Sequence, residues 1–368
     1  MKAILRTKVG EVALVNRPTP APGPGEVLIR VRACGICGSD LARLRDPDEK
    51  WNRVVLGHEC MGVVEAVGSL PGGTGVSPVS ATEGNTGETP VPPGRIAVGA
   101  RVALLPLLPD FTCPHCARGD FSLCDHYSFF GSRQDGGLAE YLVVPASNVL
   151  PLPDEVDDEA AALLEPLSVA MKGCLLGGLA PGDSVLIMGA GAIGLAAVRV
   201  ARALGAEPVI ACDVVPEKLA LVKGLGVETV LSTAGSVPGA VRELTGGRGA
   251  DICLECSGHY AAFQPALESL GKGGRLVLVG TGSRDVALSG EEREQLCRRM
   301  ITIRGQWMSY GPTWPGEPWT VPLGLMAEGK LDPRGMVTQR FPLEQTPEAV
   351  RFMLTPGADY LKVMIVNS

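Results

Sequence analysis

The sequence predicts an α/β fold in which a doubly wound parallel sheet is joined to a β-rich module, and three observations carry that expectation. From about Glu155, β-branched runs alternate with apolar helical segments; the runs are Ser184–Met188, Pro208–Cys212, Asp251–Glu255 and Arg275–Val279. Strand-helix alternation builds a parallel sheet. The first 68 residues instead carry short alternating stretches such as Glu26–Arg32, set off by turns such as Pro22-Gly23-Pro24-Gly25, the pattern of antiparallel strands. Finally, 368 residues exceed the size at which one hydrophobic core keeps growing, so two domains are expected.

The last clear strand of the parallel unit ends near Gly280, and Ile301–Trp307 returns to mixed strand and loop character. The β-rich module is therefore expected to span residues 1–154 and 298–368, with the parallel unit inserted as residues 155–297. Residues 69–94 turn abruptly to Gly, Pro, Ser and Thr, and Thr74-Gly75-Val76-Ser77-Pro78-Val79 recurs imperfectly as Thr86-Gly87-Glu88-Thr89-Pro90-Val91. Such a segment has too few apolar side chains to offset its ordering entropy and reads as a low-complexity loop insert.

Composition narrows the partners. Apolar residues make up 45% of the chain and charged residues 20%, as in a globular protein. A net charge of −7 gives no electrostatic footprint for nucleic acid or an anionic membrane. Charge breaks the N-terminal apolar run too early for a signal peptide. The longest uncharged apolar stretch, Val185–Val198, is interrupted by glycine and short of a membrane span. A cytoplasmic protein is expected. In that compartment eleven cysteines point to metal or core roles and away from a disulfide framework.

Ser184–Met188 runs directly into Gly189-Ala190-Gly191-Ala192-Ile193-Gly194 and an apolar helical segment. That is the setting a dinucleotide fingerprint requires: Gly189 for the tight turn, Gly191 for approach of the pyrophosphate, Gly194 for close helix-strand packing. A second strand, Val209–Cys212, ends at Asp213, placed to bind ribose hydroxyls and to repel a 2′-phosphate, which favours NAD. Asp213 also reads as a helix N-cap before Pro216. Lys218 is counted with these residues as cofactor-binding. The parallel unit is thus expected to be a Rossmann domain.

Two groups have metal-ligand character. Cys34–Asp40, with Cys37 in its midst, and Gly57-His58-Glu59 place a thiolate, an imidazole and a carboxylate in the N-terminal module, a catalytic zinc donor set. His58 reads equally as a buried core histidine. Cys113, Cys116 and Cys124 form a compact group suited to a second, structural zinc, with Asp110, His115, Asp125 and His126 as candidates for its fourth ligand.

These motifs together resemble the zinc-containing medium-chain dehydrogenase/reductase family over almost the whole chain. Gly57-His58-Glu59, Gly62 and Gly68 match its glycine-histidine-glutamate element, and the match breaks only at the insert. The resemblance implies a GroES-like catalytic domain, with Cys37, His58 and Glu59 as the catalytic zinc shell. It implies that Glu165, in Leu164-Glu165-Pro166-Leu167, is a further metal- or water-binding carboxylate and that Ser39 is a proton-relay hydroxyl. In the second group it sets Asp110 where the family keeps its first cysteine, followed by Cys113, Cys116 and Cys124.

Leu107–Pro114, Gly131–Gly137 and Trp307–Tyr310 with Trp314-Pro315-Gly316 are similar to loops of polyol dehydrogenases acting on galactitol 1-phosphate. The resemblance therefore implies NAD-linked, zinc-dependent oxidation of a sugar alcohol, with an unphosphorylated polyol, L-threonine or 2,3-butanediol as the alternative substrate and an inactive NAD-binding regulatory protein as the non-enzyme alternative. It also implies a homodimer or homotetramer. Trp307 and Trp314 read equally as packing or as substrate contacts. Arg133 is the candidate cation for a substrate phosphate.

Overall fold

The computed structural model describes residues 1–68, 96–233, 235–282 and 284–367. The low-complexity insert lies outside the described residues. By contact the chain divides into two units: residues 1–165, 310–327 and 334–368 form one, and residues 166–309 with 328–333 form the other.

The first unit is built on a seven-stranded sheet. Its centre is the long strand Glu26–Ile36, which pairs antiparallel with Glu59–Val67, with Tyr141–Pro145 and with Lys362–Val366. Buried side chains of these strands, including Val27, Ile29, Val31, Val64, Val144 and Val363, close one apolar core. The C-terminal strand Lys362–Val366 thus completes a module that the first residues of the chain begin, by antiparallel pairing on Ala33–Ile36.

The second unit holds six parallel strands. Numbered along the chain their spatial order is 3-2-1-4-5-6, the doubly wound Rossmann order, which puts ligand sites at the carboxyl ends of the central strands. Those central strands, Val185–Met188 and Ala250–Glu255, are almost fully buried, as expected where helices cover both faces.

Both edge strands, Glu228–Leu231 and Thr302–Gly305, escape a reading based on apolar runs. Each has four residues, and Thr302–Gly305 is exposed throughout, so neither carries a hydrophobic pattern. Thr302–Gly305 lies beyond residue 297, where the sequence places the end of the parallel unit, yet it pairs with Arg275–Leu278 as the sixth strand. At the other boundary, the helix Asp158–Ala162 packs on the antiparallel strands, and Asp158 accepts from Arg101 at 2.8 Å. Residues just after 155 therefore side with the β-rich unit. Among the described residues, no helix is long and apolar enough to cross a membrane.

Candidate active site

The pairing of Glu26–Ile36 with Glu59–Val67 assembles the first group of chemical side chains. In its register Gly35 faces Glu59 and Cys34 faces Cys60. Cys37, just past one strand, therefore meets His58 and Glu59 at the start of the other. One donor atom from each of Cys37, His58 and Glu59 lies within 4.8 Å of the others. Gly35 makes room for this: a Cβ there would stand 2.2 Å from Glu59 Oε2.

Local capping orients Cys37. It is the N-cap of the helix Gly38–Arg45: its Sγ accepts from the Ser39 backbone N–H at 3.5 Å, and Asp40 Oδ2 accepts from the Cys37 N–H at 3.0 Å. This is a capping box with a thiol as the cap. Asp40 is buried and its Oδ1 faces His58 Nδ1 at 3.5 Å. Burial works against the imidazolium, but the charges of Asp40 and Cys37 outweigh it, and His58 is held well above the ordinary histidine range. The Phe129 ring stands edge-on to His58 at 5.7 Å and walls the imidazole off.

Behind Glu59 is a cation that the sequence reading passed over. Lys362 Nζ donates to Glu59 Oε1 at 2.6 Å, with side-chain exposures of 4% and 1%. Burial disfavours the ammonium, yet the charges of Glu59 and Cys37 hold it protonated, above its usual range. Glu165, second in the helix Leu164–Leu176, lies outside the tight group of three. Desolvation, with Glu59 adding to it against His58, pushes its carboxyl up to about 7.

These residues fit zinc. The donors are sulfur, nitrogen and oxygen, the set that zinc accepts. Two buried polar atoms there, His58 Nδ1 and Glu59 Oε2, lack hydrogen-bond partners. A histidine whose basicity is raised among carboxylates marks a place that attracts a cation.

In the second group, donor atoms of Asp110, Cys113, Cys116 and Cys124 lie within 4.8 Å of one another. Asp110 Oδ1 accepts the N–H groups of Thr112 and Cys113 at 2.8 and 2.9 Å, which hold its carboxyl below the usual range. Backbone N–H groups of Cys116 and Asp110 point at Cys113 Sγ and Cys124 Sγ. His115 is turned to Arg118 at 3.0 Å. Of the four candidates for the fourth position, Asp110 is the one that joins the cysteines. Nearby, Trp314 is buried against Phe111, Phe121 and Tyr310, while Trp307 is exposed.

The glycine loop of the second unit shows three separate demands. Gly189 has φ +97°. A Cβ on Gly194 would stand 1.7 Å from Gly189 O, so only glycine lets helix and strand approach so closely. A Cβ on Gly191 would meet nothing within 4 Å. No protein atom therefore requires glycine at 191, and the space at this helix N-terminus fits a pyrophosphate. Asp213 ends the neighbouring strand, its Oδ2 accepting from Ala190 N at 2.7 Å and its Oδ1 from Val215 N at 2.9 Å. It is not the N-cap of the next helix, where that position is Val215. Lys218 is half-buried on the first turn of that helix.

Two expected outcomes follow from this geometry. Gly194→Ala should lose about 1–3 kcal/mol or more of stability from overpacking, whereas Gly191→Ala should stay within about 0.5 kcal/mol and weaken NAD binding; urea unfolding and NADH fluorescence titration read the two effects. Lys362→Met should destabilise the chelated protein by about 3–5 kcal/mol, the cost of stranding one buried charge, and the zinc-loaded protein by less, because the metal replaces the lost positive charge. A larger loss in the zinc-loaded form would contradict this.

Comparison with known proteins agrees with these features. Residues 23–154 match the family model for the alcohol dehydrogenase GroES-like domain, and residues 192–318 that for zinc-binding dehydrogenases. The chain is 36% identical to galactitol 1-phosphate 5-dehydrogenase of Escherichia coli K12, covering 95% of this chain and 96% of that protein. It is 34% identical to sorbitol dehydrogenase of Gallus gallus, covering 99% and 95%. The crystal structure of galactitol-1-phosphate dehydrogenase from Escherichia coli superposes with a TM-score of 0.84 at 34% identity, covering all of both chains. The chain belongs to the zinc-containing medium-chain family of NAD-dependent alcohol and polyol dehydrogenases.

Proposed function

We propose that this chain oxidises a secondary hydroxyl of a sugar alcohol to a ketose, with galactitol 1-phosphate as the substrate, at a zinc held by Cys37, His58 and Glu59 with Glu165 near. The observation that carries the reading is the convergence of those three donor atoms within 4.8 Å. The substrate assignment is supported by the full-length similarity to galactitol 1-phosphate 5-dehydrogenase. When bound, zinc supplies Lewis-acid polarisation of the carbinol oxygen and NAD accepts the hydride.

The chain's own residues do the rest. Ser39 Oγ accepts from Arg43 Nη1 at 2.9 Å, so its own O–H is directed elsewhere and is available to relay the carbinol proton. Asp40 Oδ1, 3.5 Å from His58 Nδ1, sets a negative charge beside the imidazole. Lys362 donates to Glu59 Oε1 and so holds that carboxylate aligned in a dry setting, with Oε2 left for a metal. Gly189, Gly191 and Gly194 seat the dinucleotide, while Asp213 and Lys218 flank its ribose. Asp213 disfavours a 2′-phosphate, which supports NAD.

Asp110, Cys113, Cys116 and Cys124 hold a second zinc with a structural role, since four protein donors leave no open position. The active form is a homodimer or homotetramer, in keeping with the symmetric assembly usual for such chains.

NADH formation from galactitol 1-phosphate, galactitol, sorbitol, L-threonine and 2,3-butanediol, before and after chelation and zinc restoration, tests the reading. The expected result is zinc-reversible activity with the highest kcat/KM on the phosphorylated polyol. Higher kcat/KM on another of these alcohols would discard the substrate and keep the chemistry; activity indifferent to chelation would discard the metal role. For the second site, Cys113→Ser should remove one zinc per chain and lower the thermal midpoint, as loss of a structural metal does.

A further inference from the structure

We propose that Arg43 is the recognition group for the phosphate monoester of the substrate, making an anion subsite beside Ser39; this rests on the function proposed above. Arg43 lies on the helix Gly38–Arg45, one turn past Ser39, and its Nη1 donates to Ser39 Oγ at 2.9 Å. A guanidinium in contact with the relay hydroxyl stands beside the place where the carbinol is held. The remainder of a short polyol chain must pass such a group.

The charge of Arg43 is incompletely matched by the protein. Its acidic neighbour is Asp40, at 3.4 Å from Nη1 through a single oxygen. That contact is long, and it is not the two-bond fork that a guanidinium makes with a dedicated carboxylate. Asp40 is also shared: Oδ2 takes the Cys37 N–H, and Oδ1 faces His58. Among the described residues, Nη1 is the one guanidinium nitrogen of Arg43 with side-chain hydrogen-bond partners. Nε and Nη2 form one donor edge of the fork, whose spacing suits two oxygens of a phosphate.

Packing fixes that edge without using it. The Trp51 ring, in the short helix Glu49–Arg53, lies with its centroid 5.6 Å from Arg43 Cζ. An aromatic face supports a guanidinium plane and leaves its edges for ligands. The Arg43 side chain is 22% exposed, enough to meet a ligand and little enough to be held in place. The helix dipole does not explain this arrangement, because Arg45 also supplies positive charge to the last turn.

Arg133, the cation singled out from the sequence, is engaged differently. Its Nη1 donates to Tyr127 O at 2.6 Å and its guanidinium stacks on the Tyr127 ring at 3.9 Å, so the groups that hold it belong to its own loop, whereas Arg43 touches Ser39. Contact with Ser39 is the observation that favours Arg43 over Arg133.

The test compares holoenzyme kinetics of wild type, R43Q, R43K and R133A on galactitol 1-phosphate and on galactitol. R43Q is expected to lower the ratio of kcat/KM for the phosphorylated over the free polyol by about tenfold or more, chiefly through KM, and R43K by less, since it keeps the charge and loses the fork. A positioning role through Ser39 alone would reduce kcat on both substrates equally and leave the ratio where it was, which overturns the proposal. A selective loss in R133A without one in R43Q does the same.

A second arm reads the subsite independently of the substrate assignment. Inorganic phosphate is expected to inhibit wild type competitively against whichever polyol is oxidised, and not against NAD, with inhibition weakened about tenfold in R43Q. If wild type prefers an unphosphorylated polyol yet shows this inhibition, the substrate reading fails and the anion subsite stands. Absence of the inhibition in wild type, or its persistence in R43Q, overturns the subsite itself.

Discussion

The site depends on the antiparallel register between Glu26–Ile36 and Glu59–Val67. Because Gly35 pairs with Glu59, the residues just beyond that pair, Cys37 on one side and His58 on the other, are brought to one end of the ladder. A slip of one residue would turn every side chain of a strand to its opposite face. The apolar side chains at Val27, Ile29, Val31 and Val64 would then leave the core, so the burial that stabilises the sheet also fixes the candidate metal donors. Core packing and chemistry are set by the same constraint.

Around that register the charges form a chain of partial pairings. Lys362 meets Glu59, Asp40 stands between His58 and Arg43, and Arg43 reaches Ser39. Each buried charge has a partner, as the low dielectric demands, and yet His58 Nδ1 and Glu59 Oε2 are left without hydrogen bonds. An apolar core of the same shape has no need of such an arrangement. Such an arrangement suits a site whose energetic balance a cation completes, and removing a single charge is expected to act on the whole group.

Much of this was legible in the sequence, and the residues show why. The glycine loop and Asp213 follow a strand and open a helix, so spacing alone disclosed them. Cys37, His58 and Glu59 stood out because thiol, imidazole and carboxylate are uncommon company in a small β-rich module. Spacing alone left Asp110 level with His115, Asp125 and His126; the family resemblance put Asp110 first, and the backbone turns its carboxylate toward the cysteines. Lys362 was hidden because a lone lysine opening the strand Lys362–Val366 reads as a surface residue; its partner lies about three hundred positions away and is set by strand pairing alone. Arg43 was hidden because it is one of two arginines in the last turn of its helix, and only its direction distinguishes it from Arg45. The edge strand Glu228–Leu231 went unseen, and Thr302–Gly305 read only as mixed strand and loop, because four-residue strands at a sheet edge carry too little apolar pattern for strand reading.

The central claim, that strand register builds a zinc site on which turnover depends, is tested most directly by measuring zinc per chain together with NADH formation in Cys37→Ala. The account predicts that this variant loses one equivalent of zinc and its turnover, while it keeps the second zinc and binds NADH as wild type does. Full zinc content in Cys37→Ala, or turnover that survives loss of the metal, would contradict it.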